Sequence, residues 1–179
     1  MDMFDEMVDA LLVGQPAPMF EGKAYSKSFG GDGFGAVSLD DYKGKWVVLF
    51  FFPAAFTGIC NSEVAAFAKR ASEFAALDAE LLGVSGDSQF VLKKLVESGE
   101  VGEVPFKLVS DSNHHIGWSY GVYNDDLGVN FRGLFIIDPE GKVRYQVIHE
   151  PIIGRSTDET LRVLNALTFG EPCPIDWHP

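Results

Sequence analysis

Phe50-Phe51-Phe52-Pro53-Ala54-Ala55-Phe56-Thr57-Gly58-Ile59-Cys60-Asn61-Ser62-Glu63 is the stretch on which the fold turns. It closes a continuous apolar run, Trp46 to Phe52, of the kind a central strand shows when both its faces are covered. Pro53 ends that strand because it has no N–H to give to a ladder. Ser62 and Glu63 then open a helical pattern, so Cys60 sits between a strand's end and a helix's start. Unpaired N–H groups and the positive end of the dipole favour an anion there, and a thiolate is an anion. A free cysteine is also a small buried hydrophobe in many cores. Three neighbours favour chemistry instead. The Thr57 hydroxyl, three residues earlier, can face the sulfur, Pro53 can shield it from water, and the Glu63 carboxylate makes sense beside a thiolate only if a cation joins them.

Working outward, Val13 to Phe20 carries two prolines and reads as an extended lead-in, and Phe29 to Gly35 is so rich in glycine that it reads as a loop. That loop lacks the GxGxxG spacing of a nucleotide site. After Cys60, Val64, Phe67, Ala71 and Phe74 share one helical face. A strand is expected at Glu80–Ser85, a helix at Gln89–Glu97 after the Gly86-Asp87-Ser88 turn, a strand at Phe106–Val109 and a short helix at Asn113–Tyr120. Asp138-Pro139-Glu140-Gly141 is a turn between strands at Phe131–Ile137 and Lys142–Ile148. Ser156 to Glu159 reads as a capping box before a helix burying Leu161, Leu164 and Leu167. The last residues, rich in proline, read as an arm. Strands alternating with helices, then a hairpin and a final helix, predict an α/β sandwich around a mixed sheet.

The chain has 179 residues, which suits one domain, and a formal charge of −12, which disfavours nucleic acid and anionic lipid as partners. Its two cysteines and an acidic start unlike a signal peptide point to a reducing cytoplasm, and with no run of 18 or more apolar residues no transmembrane helix is expected. No CxxC or P-loop is present, and Ser85 lacks nucleophile-elbow spacing. His114 and His115 read as surface residues rather than a metal pair, and no metal or cofactor is expected.

Pro53-x-x-x-Thr57-x-x-Cys60 resembles the active-site motif of the peroxiredoxins. Ser38 to Val48, Phe131 to Asp138, Gly154 to Leu161 and Gly170 to Trp177 resemble further segments of that family, from about Val13 to the chain's end. The subgroup implied is the typical 2-Cys type, which includes the peroxidase subunit of alkyl hydroperoxide reductase. The resemblance implies a thioredoxin-like fold: a central mixed β-sheet flanked by helices, with a C-terminal arm. The organisation expected is a tail or short helix over 1–12, a peroxidase domain over 13–168 and an arm over 169–179.

The activity implied is thiol-dependent reduction of hydrogen peroxide and alkyl hydroperoxides, with Cys60 as nucleophile and Thr57 binding the peroxide. Such a site needs a fixed cation. Arg132, in an otherwise apolar strand, is from composition alone either a snorkelling edge residue or a functional one; the resemblance assigns it to the site. The resemblance also implies that Glu63, by itself an ordinary surface or capping carboxylate, links Arg132 to Arg155, with Pro53 completing the pocket. By the same resemblance Cys173, otherwise a tail thiol of no assigned role, resolves the Cys60 sulfenic acid in a head-to-tail homodimer. Thioredoxin or a flavoprotein disulfide reductase is the implied donor, and dimers of this family assemble into decamers. The other reading is a redox-controlled holdase chaperone or peroxide sensor.

This sequence departs from the family at Asn61, where proline is usual, and at Gly58, where phenylalanine is common. Both residues are expected to loosen the helix's first turn. Glu97 to Glu103 carries no Gly-Gly-Leu-Gly insertion, and no Tyr-Phe extension follows Pro179, which predicts resistance to overoxidation. Leu95, where related sequences often carry Trp, leaves the contact between dimers open.

Overall fold

The computed structural model describes residues 11–179. The helix or tail expected over 1–12 therefore lies outside the described residues, except for Leu11 and Leu12. The fold centres on a mixed seven-stranded sheet in the order β2 (Phe34–Ser38), β1 (Glu21–Tyr25), β5 (Lys107–Ser110), β4 (Ala79–Ser85), β3 (Trp46–Phe51), β8 (Arg132–Ile137), β9 (Val143–His149). The central strand, β3, runs parallel to β4 and antiparallel to β8. Parallel to β4 lies β5, while β9 pairs with β8 and forms one edge.

Alternation along β3 sends side chains to two cores. Val48, Phe50 and Phe52 pack with Val64 and Phe67 of α1 (Gly58–Lys69), Phe74 of α2 (Ala71–Ala75), Leu92 and Leu95 of α3 (Gln89–Glu97), and Leu161 and Leu164 of α5 (Thr157–Phe169). Val47, Leu49 and Phe51 face Ile116 of α4 (His115–Ser119), Tyr120 and the lead-in residues Leu12, Ala17 and Phe20. The Phe50 ring stacks on Phe67 at 4.5 Å, and Phe51 meets Phe135 edge-on at 5.9 Å. Each such fully buried ring contributes roughly 1.5–3 kcal/mol through apolar area removed from water. Covering on both faces is the reason β3 reads as an unbroken apolar run.

Several details differ from the sequence reading. Phe34 and Gly35 are not loop but part of β2 (Phe34–Ser38), paired with β1 (Glu21–Tyr25). Gly35 leaves room for a ring: a Cβ there would stand 2.7 Å from Phe29. A second small hairpin, β6 (Tyr123–Asn124) with β7 (Val129–Asn130), was not anticipated. The single helix expected after Cys60 breaks at Arg70, whose guanidinium is drawn to Glu73 and to Asp158 of α5. The capping box of α5 is half formed: Ser156 accepts from the Glu159 N–H, but the Glu159 carboxylate turns to Arg162. His114 is not a bland surface residue. It adopts φ 61°, its ring stacks on Tyr123 at 4.3 Å, and its Nδ1 is buried with no partner among the described residues.

Candidate active site

The Phe52 N–H makes the last ladder bond of the central strand, to the Val84 carbonyl at 2.9 Å, and Pro53 follows. Residues 53–57 lead from the strand to α1, which starts at Gly58 with Thr57 as its N-cap. Cys60 therefore lies in the first turn, pointing into the core at 1% exposure. Glu63, one turn on, is also buried, as helical i,i+3 spacing requires of a shared face. Across from them, Arg132, Leu134 and Ile136 alternate onto the same face of β8, and the Arg132 side chain is 3% exposed.

A buried ionic cluster results. Arg132 Nη1 donates to Cys60 Sγ at 3.4 Å and to Glu63 Oε2 at 2.8 Å, and its Nε donates to the Pro151 carbonyl at 2.8 Å. Arg155 grips the same carboxylate: its Nε and backbone N–H reach Oε1 at 2.9 and 2.8 Å, and its Nη2 reaches Oε2 at 2.7 Å. Its Nη1 donates to the Gly133 carbonyl at 2.6 Å, and the guanidinium lies 5.6 Å over the Phe50 ring. Burial pushes the Glu63 carboxyl up; the hydrogen bonds and charge of Arg155, with the charge of Arg132, more than offset this and hold it below the ordinary carboxylate range.

The charges decide what the cluster wants. Two guanidiniums and one carboxylate leave one positive charge buried, and an uncompensated buried charge is costly. A thiolate on Cys60 closes that balance. The arrangement thus favours a nucleophilic sulfur beside a cation that can also stabilise negative charge on a leaving oxygen.

Thr57 lies at the mouth. Its hydroxyl donates to the Ala54 carbonyl at 2.8 Å rather than to the sulfur, so its lone pairs remain free to accept. Pro53 is half-buried beside it. Cys173 is a free thiol on the arm after α5, partly exposed, and its Sγ faces the Glu171 carbonyl at 3.3 Å. Phe169 and Trp177 stack at 5.6 Å, which lays the arm back along α5. Cys60 is free as well.

Sequence reasoning missed two groups. Asp87, read only as part of a turn, accepts from the Ala55 N–H and from the Ser85 hydroxyl, both at 2.8 Å, and so pins the 53–57 loop. Asn61 does the opposite of what was expected. Its Oδ1 accepts from the Phe56 N–H at 3.1 Å and its Nδ2 donates to Glu100 at 2.8 Å, bracing the first turn. At Gly58 a Cβ would meet nothing within 4 Å, so the fold leaves room for a side chain there. An Asn four residues into a helix was the available signal, but its two partners lie in other segments.

Among the described residues no group of three or more His, Cys, Asp or Glu could hold a metal ion, and no helix is long and apolar enough to cross a membrane.

With this geometry in view, the AhpC/TSA family matches residues 13–146. The rubredoxin-operon peroxiredoxin of Clostridium pasteurianum is 49% identical over 171 residues, covering 93% of this chain and 95% of that one. Peroxiredoxin prdx-2 of Caenorhabditis elegans is 44% identical over 176 residues, covering 93% and 85%. The reduced 2-Cys peroxiredoxin of Plasmodium vivax superposes with a TM-score of 0.86 at 34% identity, over 94% of this chain and 90% of that one. That likeness fixes the thioredoxin-like fold, and the relatives favour a peroxidase over an oligomeric holdase. The chain belongs to the AhpC/TSA family and is a peroxiredoxin, a thiol-dependent peroxidase.

Proposed function

We propose that Cys60 is the peroxide-reducing thiol and that this chain works by the two-cysteine route. The observation that carries the reading is the 3.4 Å contact between Arg132 Nη1 and Cys60 Sγ inside a cluster that one negative sulfur would neutralise. The thiolate attacks the terminal oxygen of a hydroperoxide. An S–O bond forms, the O–O bond breaks, and the electron pair leaves on the other oxygen, which takes a proton from water to give water or an alcohol. Thr57, with its own proton committed to Ala54, accepts from the peroxide O–H and aims the O–O axis at sulfur. Arg132 steadies the departing charge; Glu63 and Arg155 hold Arg132 in place; Pro53 limits water.

The product is a Cys60 sulfenic acid. Cys173 of a second subunit attacks it, water leaves, and a disulfide joins the two chains. The exposed arm over 169–179 suits that transfer, with the peroxidase domain over 13–168. Support for a homodimer comes from β9, an open sheet edge with Ile148 41% exposed and Ile152 79% exposed just beyond it. Thioredoxin or a flavoprotein disulfide reductase returns the two thiols, in the cytoplasm, and dimers assemble into a decamer.

Steady-state peroxide consumption tests the assignment. Cys60→Ser is expected to abolish it. Cys173→Ser is expected to keep one turnover per subunit and lose reductant-driven recycling. A Cys60→Ser protein that still turned over would refute the reading.

A further inference from the structure

We propose that Asn61 is a positioning residue for the peroxide-binding loop, and that Glu100 sets the direction in which it works. The loop over 54–57 must present Thr57 to the substrate, yet it contains Phe56 at φ 60°, a left-handed conformation unfavourable for a bulky side chain. Something outside the local backbone must hold it. Asn61 does so from within α1: its Oδ1 accepts from the Phe56 N–H at 3.1 Å.

An asparagine amide could equally turn its NH2 towards Phe56, which would place two donors face to face. Glu100 prevents this. Its carboxylate only accepts, so it requires the amide Nδ2, which it meets at 2.8 Å, and Oδ1 is thereby aimed at Phe56. Glu100 belongs to the segment after α3, so the bridge ties three parts of the chain together: that segment, the catalytic helix and the substrate loop. Asp87 holds the neighbouring Ala55 N–H from another side at 2.8 Å. With the Ala55 and Phe56 N–H groups both held, the backbone that leads into Thr57 is fixed from two sides.

The bridge has a donor end and an acceptor end, so it can be reversed. Asn61→Asp keeps an acceptor for Phe56 but sets two carboxylates against each other. Adding Glu100→Gln supplies a donor from the opposite side and rebuilds the bridge, with the bond between positions 61 and 100 reversed and the Phe56 N–H still donating to residue 61. The proposal rests on Cys60 being the reacting thiol. The readouts are therefore the second-order rate of Cys60 oxidation by hydrogen peroxide and, on the same samples, the rate of Cys60 alkylation by iodoacetamide, which needs the thiol but not the oriented loop.

Asn61→Ala and Asn61→Asp are expected to slow peroxide oxidation about 10-fold or more, as ångström-scale misplacement does, and to change alkylation less than about 2-fold. Asn61→Asp with Glu100→Gln is expected to recover most of the peroxide rate. Single variants as fast as wild type, a double variant no faster than Asn61→Asp alone, or equal losses in both reactions would each overturn the proposal. A wild-type protein whose Cys60 is not oxidised by peroxide would instead overturn the catalytic assignment on which it stands.

Discussion

Glu63→Gln is the most informative single change to the buried cluster. The carboxylate it removes is 4% exposed and lies between guanidiniums whose side chains are 3% and 2% exposed. Glutamine keeps the size and one acceptor but removes the carboxylate that Arg132 and Arg155 share, so the two buried guanidiniums face at most the one sulfur. Removing one partner of a buried pair costs about 3–5 kcal/mol, because the remaining charges stay desolvated. For a chain of this size that corresponds to a fall in Tm of roughly 6–20 °C, at about 2–4 °C per kcal/mol.

The loss must also depend on pH in one direction. The folded Glu63 carboxyl titrates below its ordinary value of 4.5, so the stability it supplies is complete above that pH. It drains away as pH falls through the depressed folded value, and wild type and variant converge there. Denaturant unfolding of the reduced proteins, at equal subunit concentration and at a series of pH values from neutral to acid, measures the gap. A gap under about 1 kcal/mol at pH 7, well short of the range for a buried pair, or one that widened in acid, would refute the charge bookkeeping.

Three further outcomes are expected. Thr57→Val should slow peroxide oxidation of Cys60 by about 10²-fold, within the range for losing one polar group aimed at the reacting atoms; Thr57→Ser should retain most of the rate, and stopped-flow kinetics distinguish them. Asp87→Ala removes the acceptor for the Ala55 N–H and the Ser85 hydroxyl, and should destabilise the fold by about 1–3 kcal/mol, seen in chemical denaturation. Because Glu97 to Glu103 carries no Gly-Gly-Leu-Gly insertion, Cys60 should resist overoxidation; abundant sulfinic acid by mass spectrometry within a few turnovers would contradict that.

Much of the fold could be read from β3 outward, because a covered strand needs apolar side chains on both faces and proline cannot extend it. The hairpin β1–β2 was hidden because its glycines serve ring packing, at Gly35 beneath Phe29, while composition alone reads them as a loop. At the site, Cys60 could be singled out from its place between a strand's end and a helix's start, whereas Arg132 read alone as either an edge residue or a functional one, Glu63 and Arg155 as surface charge or helix caps, and the family resemblance assigned all three. Their mutual distances were not legible, since α1, β8 and the segment before α5 meet only in the folded chain. Asp87 and Glu100 carry no local signal at all. Each looks like an ordinary surface carboxylate until a distant N–H or amide is brought to it. Asn61 was misjudged for the same reason: its local effect is to loosen a turn, and its tertiary hydrogen bonds reverse that.

The central claim is that Arg132 prepares the Cys60 sulfur for peroxide. It is tested most directly by the initial rate at which hydrogen peroxide consumes the Cys60 thiol in Cys173→Ser protein, with and without Arg132→Met. The account predicts oxidation confined to Cys60 and a rate about 10²–10³-fold lower when the guanidinium is gone. Equal rates in the two proteins would contradict it.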